Sequence, residues 1–172
     1  MPLMRADELA RLLASGEPPT VLDVRWTLAT GADRRAFLEG HVPGAAFIDL
    51  DRQLANPPSE RGRHPLPDPE RFGAHMRAAG VRSRRPVVVY DAGSSMAAAR
   101  AWWLLRYFAH AEVAVLDGGL MAWSAAGHPI STATAPPDPG DFDPRPGGMP
   151  AVAAEDVPAV VAGGVLLDAR AP

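Results

Sequence analysis

The 172-residue sequence contains no cysteine, and because its 17 basic residues are all arginine, it contains no lysine either. Without cysteine, a disulfide, a thiolate metal site and a cysteine nucleophile are excluded within these residues. Without lysine, a Schiff base and an amine nucleophile are excluded as well. Any chemistry of these residues must therefore use hydroxyl, carboxylate, imidazole or guanidinium groups.

Long apolar runs and an excess of positive charge are also missing. No apolar run approaches the roughly 20 residues that cross a membrane, and residues 1–17 mix charged with apolar side chains, unlike a signal peptide. The formal net charge of −3 leaves no broad basic surface for nucleic acid. We therefore expect a cytoplasmic protein with no metal or cofactor, and with neither nucleic acid nor a membrane among its partners.

Segments typical of strands and helices alternate along the first 130 residues. Strands are predicted at 20–24, 44–48, 86–90 and 113–116. Helices are predicted at 5–14, 34–38, 68–80, 97–108 and 120–126. This alternation indicates an α/β domain with a central, mostly parallel sheet that is flanked by helices on both faces.

The composition changes after the last predicted helix. Nine of the fifteen residues from 136 to 150 are proline or glycine, so regular structure is not expected there. We interpret residues 1–130 as a domain and residues 131–152 as an extended linker.

Beyond the linker, the sequence repeats its own beginning. The pattern of residues 5–25, a helix followed by VLDVR, returns at 153–170 as a helix followed by VLLDAR, about 145 residues later. A period of this size indicates a domain duplication rather than a solenoid. We interpret residues 153–172 as the truncated start of a second domain, and we expect the natural protein to continue past Pro172.

Two motifs lie within the predicted domain. Residues 37–45 read FLEGHVPGA, and residues 113–123 read VAVLDGGLMAW, a strand closed by Asp-Gly-Gly with a tryptophan on the following helix. Both motifs resemble the signatures of rhodanese domains. The resemblance implies a rhodanese-like fold in which His41 is structural and holds the Pro43-Gly44 turn. It also implies that the glycines and Trp123 belong to the scaffold.

The position of the rhodanese nucleophile is occupied by an aspartate. In an active rhodanese domain, a buried strand ends at a cysteine that opens a six-residue loop, and main-chain N–H groups of the loop and of the next helix hold an anion or a persulfide. The corresponding loop here consists of Asp91, Ala92, Gly93, Ser94, Ser95 and Met96. A carboxylate cannot become a persulfide, so the chain resembles the inactive first domain of a two-domain thiosulfate or 3-mercaptopyruvate sulfurtransferase.

The same resemblance implies two candidate catalytic residues, Asp51 and His64. In mercaptopyruvate-type members, the first domain lends an aspartate and a histidine to a proton relay that a serine of the second domain completes. The segments FIDLD (47–51) and RHPLP (63–67) match those positions. The implied partners are the second rhodanese domain of the same protein and a small anionic sulfur donor at the interface between the domains. A loop histidine and a surface aspartate without such a role is the alternative.

Two other functions are compatible with the sequence. An inactive rhodanese-like domain can serve as a binding or regulatory module, because the fold is the same. A hydrolase would use Ser95 on its strand-to-helix turn with Asp117 and His128, although the second glycine of a nucleophile elbow is missing. His75, His110 and His128 show no metal-ligand spacing, and we expect surface or helix-cap positions for them.

Overall fold

The computed structural model of the chain describes residues 3–60 and 62–168. Its strands are β1 (Leu3–Met4), β2 (Thr20–Asp23), β3 (Trp26–Thr27), β4 (Gly31–Ala32), β5 (Ala46–Phe47), β6 (Val87–Tyr90) and β7 (Val113–Leu116). Its helices are α1 (Ala6–Leu13), α2 (Arg34–Glu39), α3 (Leu50–Gln53), α4 (Pro69–Ala78), α5 (Met96–Tyr107), α6 (Gly119–Ala125) and α7 (Val157–Ala162). None of the helices in these residues is long and apolar enough to cross a membrane.

Five parallel strands form the central sheet, in the order β1-β7-β6-β2-β5. The strands β2 and β6 pair over their whole length, from Thr20 opposite Val87 to Asp23 opposite Tyr90. A strand inside a parallel sheet is buried on both faces, which explains the continuous apolar sequence VVVY of β6. The predicted α/β fold with a mostly parallel sheet is confirmed.

The sheet separates two hydrophobic cores, because successive side chains of a strand point to opposite faces. Val87 and Val89 of β6 lie in the core that α4 and α5 cover. Val88, between them, lies in the other core with Leu9 of α1 and Trp123 of α6. Helices therefore cover both faces, and Trp123 has the scaffold position that the second motif implies.

Residues 131–148, which we call the strap, contain neither helix nor extended strand but are fastened to the domain. The main-chain N–H of Gly140 donates to the carbonyl of Arg77 at 2.8 Å. Phe142 is buried in the core beneath α4 and α5. A Cβ on Gly140 would collide with the main chain of Val81, so the close approach requires glycine. The strap is thus bound along the domain, which its Pro/Gly-rich sequence did not reveal.

The residues after the strap expose apolar side chains. Among them, Val160 is 48% and Leu167 is 82% exposed. The sequence predicts a strand at 165–170, but residues 165–168 form none, and residues 169–172 lie outside the described part of the chain. A parallel strand needs neighbouring strands for its main-chain hydrogen bonds, and within the described residues no strand lies beside this segment. The division into residues 1–130, 131–152 and 153–172 stays a prediction.

Candidate functional site

The two candidate catalytic residues, Asp51 and His64, are in direct contact. Asp51 lies on the short helix α3, which begins where the Asp49 side chain accepts a hydrogen bond from the N–H of Arg52. His64 lies in the loop between α3 and α4, with its Nε2 2.8 Å from Oδ1 of Asp51. The indole N–H of Trp26 donates to the other oxygen, Oδ2, also at 2.8 Å. Each carboxylate oxygen of Asp51 therefore has a side-chain partner.

These contacts decide the protonation of Asp51. Burial raises the pKa of this carboxyl group, but hydrogen bonds from His64 and Trp26 and the positive charges of His64 and Arg63 together lower it below its usual value. Asp51 is thus ionised at neutral pH. Because a carboxylate only accepts hydrogen bonds, Nε2 of His64 carries a proton, and Nδ1 is the basic atom of the neutral ring. The pair can take up or release a proton at Nδ1.

A cavity of about 360 Å³ adjoins the imidazole of His64. Its apolar walls include Trp26, Leu28 and Met96, and its polar lining includes Arg63 and Arg100 as well as His64. The ring of His64 stands edge-on to that of Trp26, with 5.6 Å between the ring centroids. A cavity with apolar walls and two guanidinium groups suits a small anion that carries an apolar or polarisable part.

The carboxylate of Asp91 is buried and surrounded by main-chain donors. Its Oδ1 accepts from the N–H groups of Gly93 and Ser95, each at 2.9 Å. Its Oδ2 accepts from those of Ala97 and Ala98, at 3.1 and 3.3 Å. These donors belong to the loop and to the first turn of α5. We call them the cradle, because the resemblance implies that they would hold an anion in an active rhodanese domain. In this chain the side chain of Asp91 occupies the cradle. No cysteine or external anion can use this cradle while Asp91 fills it.

The loop around Asp91 depends on close main-chain packing. Ser95 has a left-handed conformation with φ of 61°, which points its N–H toward the carboxylate. A Cβ on Gly119 would collide with the carbonyl oxygen of Asp91, so the second glycine of the Asp-Gly-Gly motif allows α6 to approach the loop. The predicted six-residue loop is one residue too long, since Met96 is the first residue of α5. The exposed members of this segment are Ala92, Ser94 and Met96.

His41 has a structural position, but its ring nitrogens contact Phe37 and Ala133 and not the Pro43-Gly44 turn that the resemblance implies. Its ring is buried and stacks on Phe37 with 3.9 Å between the centroids. Nδ1 lies 2.7 Å from the carbonyl oxygen of Phe37, and Nε2 lies 3.0 Å from that of Ala133 in the strap. His41 therefore joins the end of α2 to the strap.

Of the two positions expected for His110, the helix cap is confirmed and the surface is not: its main-chain N–H donates to the carbonyl of Leu105 at the end of α5, at 2.8 Å, but its ring is buried. Only 3% of this residue is exposed, because it packs beside Phe142 of the strap. Nε2 lies 3.0 Å from the carbonyl oxygen of Arg82, whereas Nδ1 is buried without a partner. Burial lowers the pKa of His110, despite smaller opposing effects of the Arg82 carbonyl and of Glu112.

The hydrolase arrangement receives no support from the histidine it requires. Nε2 of His128 lies 2.9 Å from Oδ1 of Asp7, and its ring packs against Trp123. Within residues 3–60 and 62–168, no hydrogen bond joins His128 to Ser95 or to Asp117. The same residues contain no group of three or more His, Asp or Glu side chains that could hold a metal ion.

Sequence reasoning did not identify Trp26 and Arg100 as parts of this site. Trp26 directly follows the VLDVR segment, so its place at the carboxyl end of β2 was a usable signal. Arg100 lies inside a helix whose neighbouring residues are mostly apolar. Its place in the site follows only from the fold, in which the loop of His64 packs against α5.

Comparison with known proteins defines the class of this domain. The model of the rhodanese-like domain family matches residues 5–126. The chain therefore belongs to the rhodanese-like domain family. It is 42% identical over 177 residues to SseB of Mycobacterium tuberculosis, which is named as a thiosulfate sulfurtransferase, covering 99% of this chain and 61% of SseB.

Other relatives carry the name of a second sulfur donor. Human 3-mercaptopyruvate sulfurtransferase is 40% identical over 139 residues, which cover 78% of this chain and 46% of the human protein. The crystal structure of SseA from Escherichia coli, described as a 3-mercaptopyruvate sulfotransferase, is similar with a TM-score of 0.82 at 31% identity, covering 94% of this chain and 62% of SseA. The chain thus spans less than two thirds of the length of each of these sulfurtransferases.

Proposed function

We propose that this chain is the non-catalytic first domain of a two-domain sulfurtransferase that uses thiosulfate or 3-mercaptopyruvate as donor. In this proposal, sulfur is carried as a cysteine persulfide in the second domain. The observation that carries the proposal is the 2.8 Å contact between His64 and Asp51 beside a cavity with two arginines. Relatives named for both donors, each longer than this chain, support it.

The proton chemistry of the pair suits the 3-mercaptopyruvate reaction. A cysteine thiolate of the second domain would attack the donor sulfur, the carbon–sulfur bond would break, and its electron pair would remain on pyruvate as an enolate. The sulfur would then be held as a persulfide, and the enolate would require a proton. In our proposal, Nδ1 of His64 first takes up the proton that the cysteine thiol loses as it becomes the thiolate, passed on by a serine of the second domain. It then gives this proton to the enolate, and Asp51 orients the ring and stabilises the imidazolium in between.

The role proposed for the Asp91 segment is structural. Its carboxylate fills the cradle with a negative charge, so an anionic donor is repelled from this loop and sulfur must be carried elsewhere. The cavity beside His64, where Arg63 supplies a positive charge, is then the anion site that this chain contributes, facing the second domain. The exposed apolar side chains of residues 157–168 suit a chain that continues into that domain. The cytoplasmic location stays a prediction.

The decisive experiment uses the protein extended beyond Pro172. With 3-mercaptopyruvate and a thiol acceptor, we expect His64→Ala to lower kcat by about a hundredfold while KM changes little, as for a general acid–base group. His75→Ala, on α4, is the matched control and should retain wild-type turnover. Wild-type kcat in the His64 variant, or turnover by the chain of residues 1–172 alone, would contradict the proposal.

A binding or regulatory module is the second candidate, and the absence of cysteine together with the filled cradle favours it. The two functions require different sequences after residue 172. The sulfurtransferase requires a cysteine at the end of a strand about 145 residues after Asp91, where the repeat places the corresponding loop. A reading frame without that cysteine would leave only the binding module.

A further inference from the structure

Arg100, on α5, makes an unusual set of contacts for a partly buried cation. Its Nε and Nη2 donate to the carbonyl oxygen of Leu54, at 3.1 and 2.8 Å. Nη2 also donates to the carbonyl oxygens of His64 and Pro65, at 3.0 and 3.4 Å. None of the ion pairs within residues 3–60 and 62–168 includes Arg100. Its guanidinium group therefore binds the main chain of the loop that carries His64.

We propose that Arg100 is a positioning residue that fixes this loop and thereby holds the imidazole of His64 against Asp51. The inference rests on the proposed function, because a positioning role has catalytic meaning only if the pair moves protons. Arg100 acts through His64 and is assigned no contact with the reacting atoms.

The loop between α3 and α4 depends on side-chain contacts for its position, because its described residues contain neither helix nor extended strand. Arg100 bridges the carbonyls of Leu54 and His64, which are ten residues apart in the sequence. Nearby, the N–H of Asn56 donates to the carbonyl of Pro65 at 3.2 Å, so the two ends of the loop are already close together. One guanidinium thus ties both ends of the loop to a single helix.

Arginine suits this task better than lysine. Its planar group presents several N–H donors in a fixed fork, whereas an ammonium group is a compact charge on a flexible stem. Burial lowers the pKa of Arg100 from its high ordinary value, but an arginine remains charged in a protein. Donation from a charged group makes each carbonyl contact stronger than a neutral hydrogen bond.

The helix that carries Arg100 is itself held in place, because Asp91 binds the first turn of α5. The N–H groups of Ala97 and Ala98, which precede Arg100 by one turn or less, donate to the carboxylate of Asp91. Asp91 therefore anchors the helix from which Arg100 reaches the loop. In this way the filled cradle and the Asp51–His64 pair are parts of one connected structure.

The pKa of Asp51 offers a readout for the position of His64. His64, Trp26 and Arg63 are the groups that lower this pKa, against the raising effect of burial, and Arg100 is not among them. Removing Arg100 should therefore change the pKa of Asp51 chiefly by moving the groups that contact it. A merely destabilised but correctly folded variant would leave this pKa unchanged.

The first test is a carboxyl NMR titration of Asp51 in the chain of residues 1–172. Arg100→Met should raise the pKa of Asp51 toward its ordinary value, and Arg100→Lys should raise it by a smaller amount. Arg71→Met is the matched control, because Arg71 donates to the carbonyl of Arg52 in α3 and to that of Ala55 in the loop without contacting His64. An unchanged pKa in the Arg100 variants, or an equal rise in the Arg71 variant, would overturn the positioning role. If Arg100→Met does not fold, the comparison of Arg100→Lys with Arg71→Met decides.

The second test uses the protein extended beyond Pro172. Arg100→Met should lower kcat with 3-mercaptopyruvate by about tenfold or more, as expected when a catalytic group is displaced by about 1 Å. Adding it to His64→Ala should cause no further loss, because both changes remove the same contribution. If the two losses in kcat multiply in the double variant, Arg100 does not act through His64.

The two hypotheses fail in different ways. If His64→Ala retains full turnover, the proposed relay fails, whatever the titration of Asp51 shows. If His64→Ala loses turnover but the Arg100 variants leave the pKa of Asp51 unmoved, the relay stands and only the positioning role fails.

Discussion

Asp91 and Asp51 both follow strands of the same parallel sheet, but their surroundings differ. Asp91 is 3% exposed, and four main-chain N–H groups saturate its carboxylate. The side chain of Asp51 is 41% exposed, and its carboxylate contacts the imidazole ring of His64. A buried carboxylate bound mainly by main-chain donors, with one longer contact of 3.5 Å from the hydroxyl of Ser94, can stabilise a loop and a helix end. A carboxylate bound to an imidazole can also assist proton transfer.

The two carboxylates therefore differ in the chemistry that is available to them. The loop that would hold a persulfide in an active rhodanese domain is closed by its own side chain. The neighbouring pair faces a cavity and has a basic nitrogen. We therefore expect substitutions at Asp91 to change stability, and substitutions at Asp51 and His64 to change activity.

The largest effect on stability is expected for Asp91→Asn. Its amide nitrogen would face main-chain N–H groups that now bind the second carboxylate oxygen, so buried donors would lose their acceptor. We expect the free energy of unfolding to fall by about 2–3 kcal/mol, the range for lost hydrogen bonds to a buried charge. Urea denaturation of the chain measures it. A change below about 0.5 kcal/mol, the usual size for a surface substitution, would show that the cradle does not depend on the charge.

A smaller effect on the free energy of unfolding, dependent on pH, is expected at His110. This histidine is buried whereas His64 adjoins a cavity, and the same difference separates Asp91 from Asp51. The buried ring has a lowered pKa, so the unfolded chain binds a proton more readily than the folded one. Stability is then complete above about pH 6.5, the ordinary value for histidine, and falls as the pH drops below it.

Melting temperatures of the wild type and of His110→Gln between pH 7.5 and 5 test this expectation. The wild type should lose stability more steeply on acidification, because the variant lacks the group that must be protonated in a buried site. The pKa of His75 is also lowered by burial, and this contribution is the same in both proteins. Parallel curves would show that His110 is protonated in the folded state as readily as in the unfolded one.

The smallest effect on stability is expected for Asp51→Asn, which makes the same chemical change as Asp91→Asn. Because solvent screens this half-exposed carboxylate, we expect the free energy of unfolding to change by no more than about 0.5 kcal/mol. In the protein extended beyond Pro172, turnover with 3-mercaptopyruvate should nevertheless fall. Equal destabilisation by the two Asp→Asn substitutions would abolish the distinction between the structural and the chemical carboxylate.

Much of the fold could be predicted because long elements have a periodic sequence. The strands at 20–23, 87–90 and 113–116 lie within one residue of their predicted ends, since buried parallel strands are continuous apolar runs. The strands β1, β3 and β4 were not predicted, because two residues are too few to show a period. The docking of the strap escaped prediction for a related reason, as most of its bonds are made by the main chain.

The sequence by itself determined the absence of a thiol nucleophile, the aspartate at the start of the loop and the order of strands and helices. These properties depend on residue identity and on local spacing. Only the tertiary structure decided that His64 touches Asp51, that Arg100 ties down its loop and that His110 is buried. Each of these contacts joins residues from different elements or loops, and only the packing of those segments determines whether they meet.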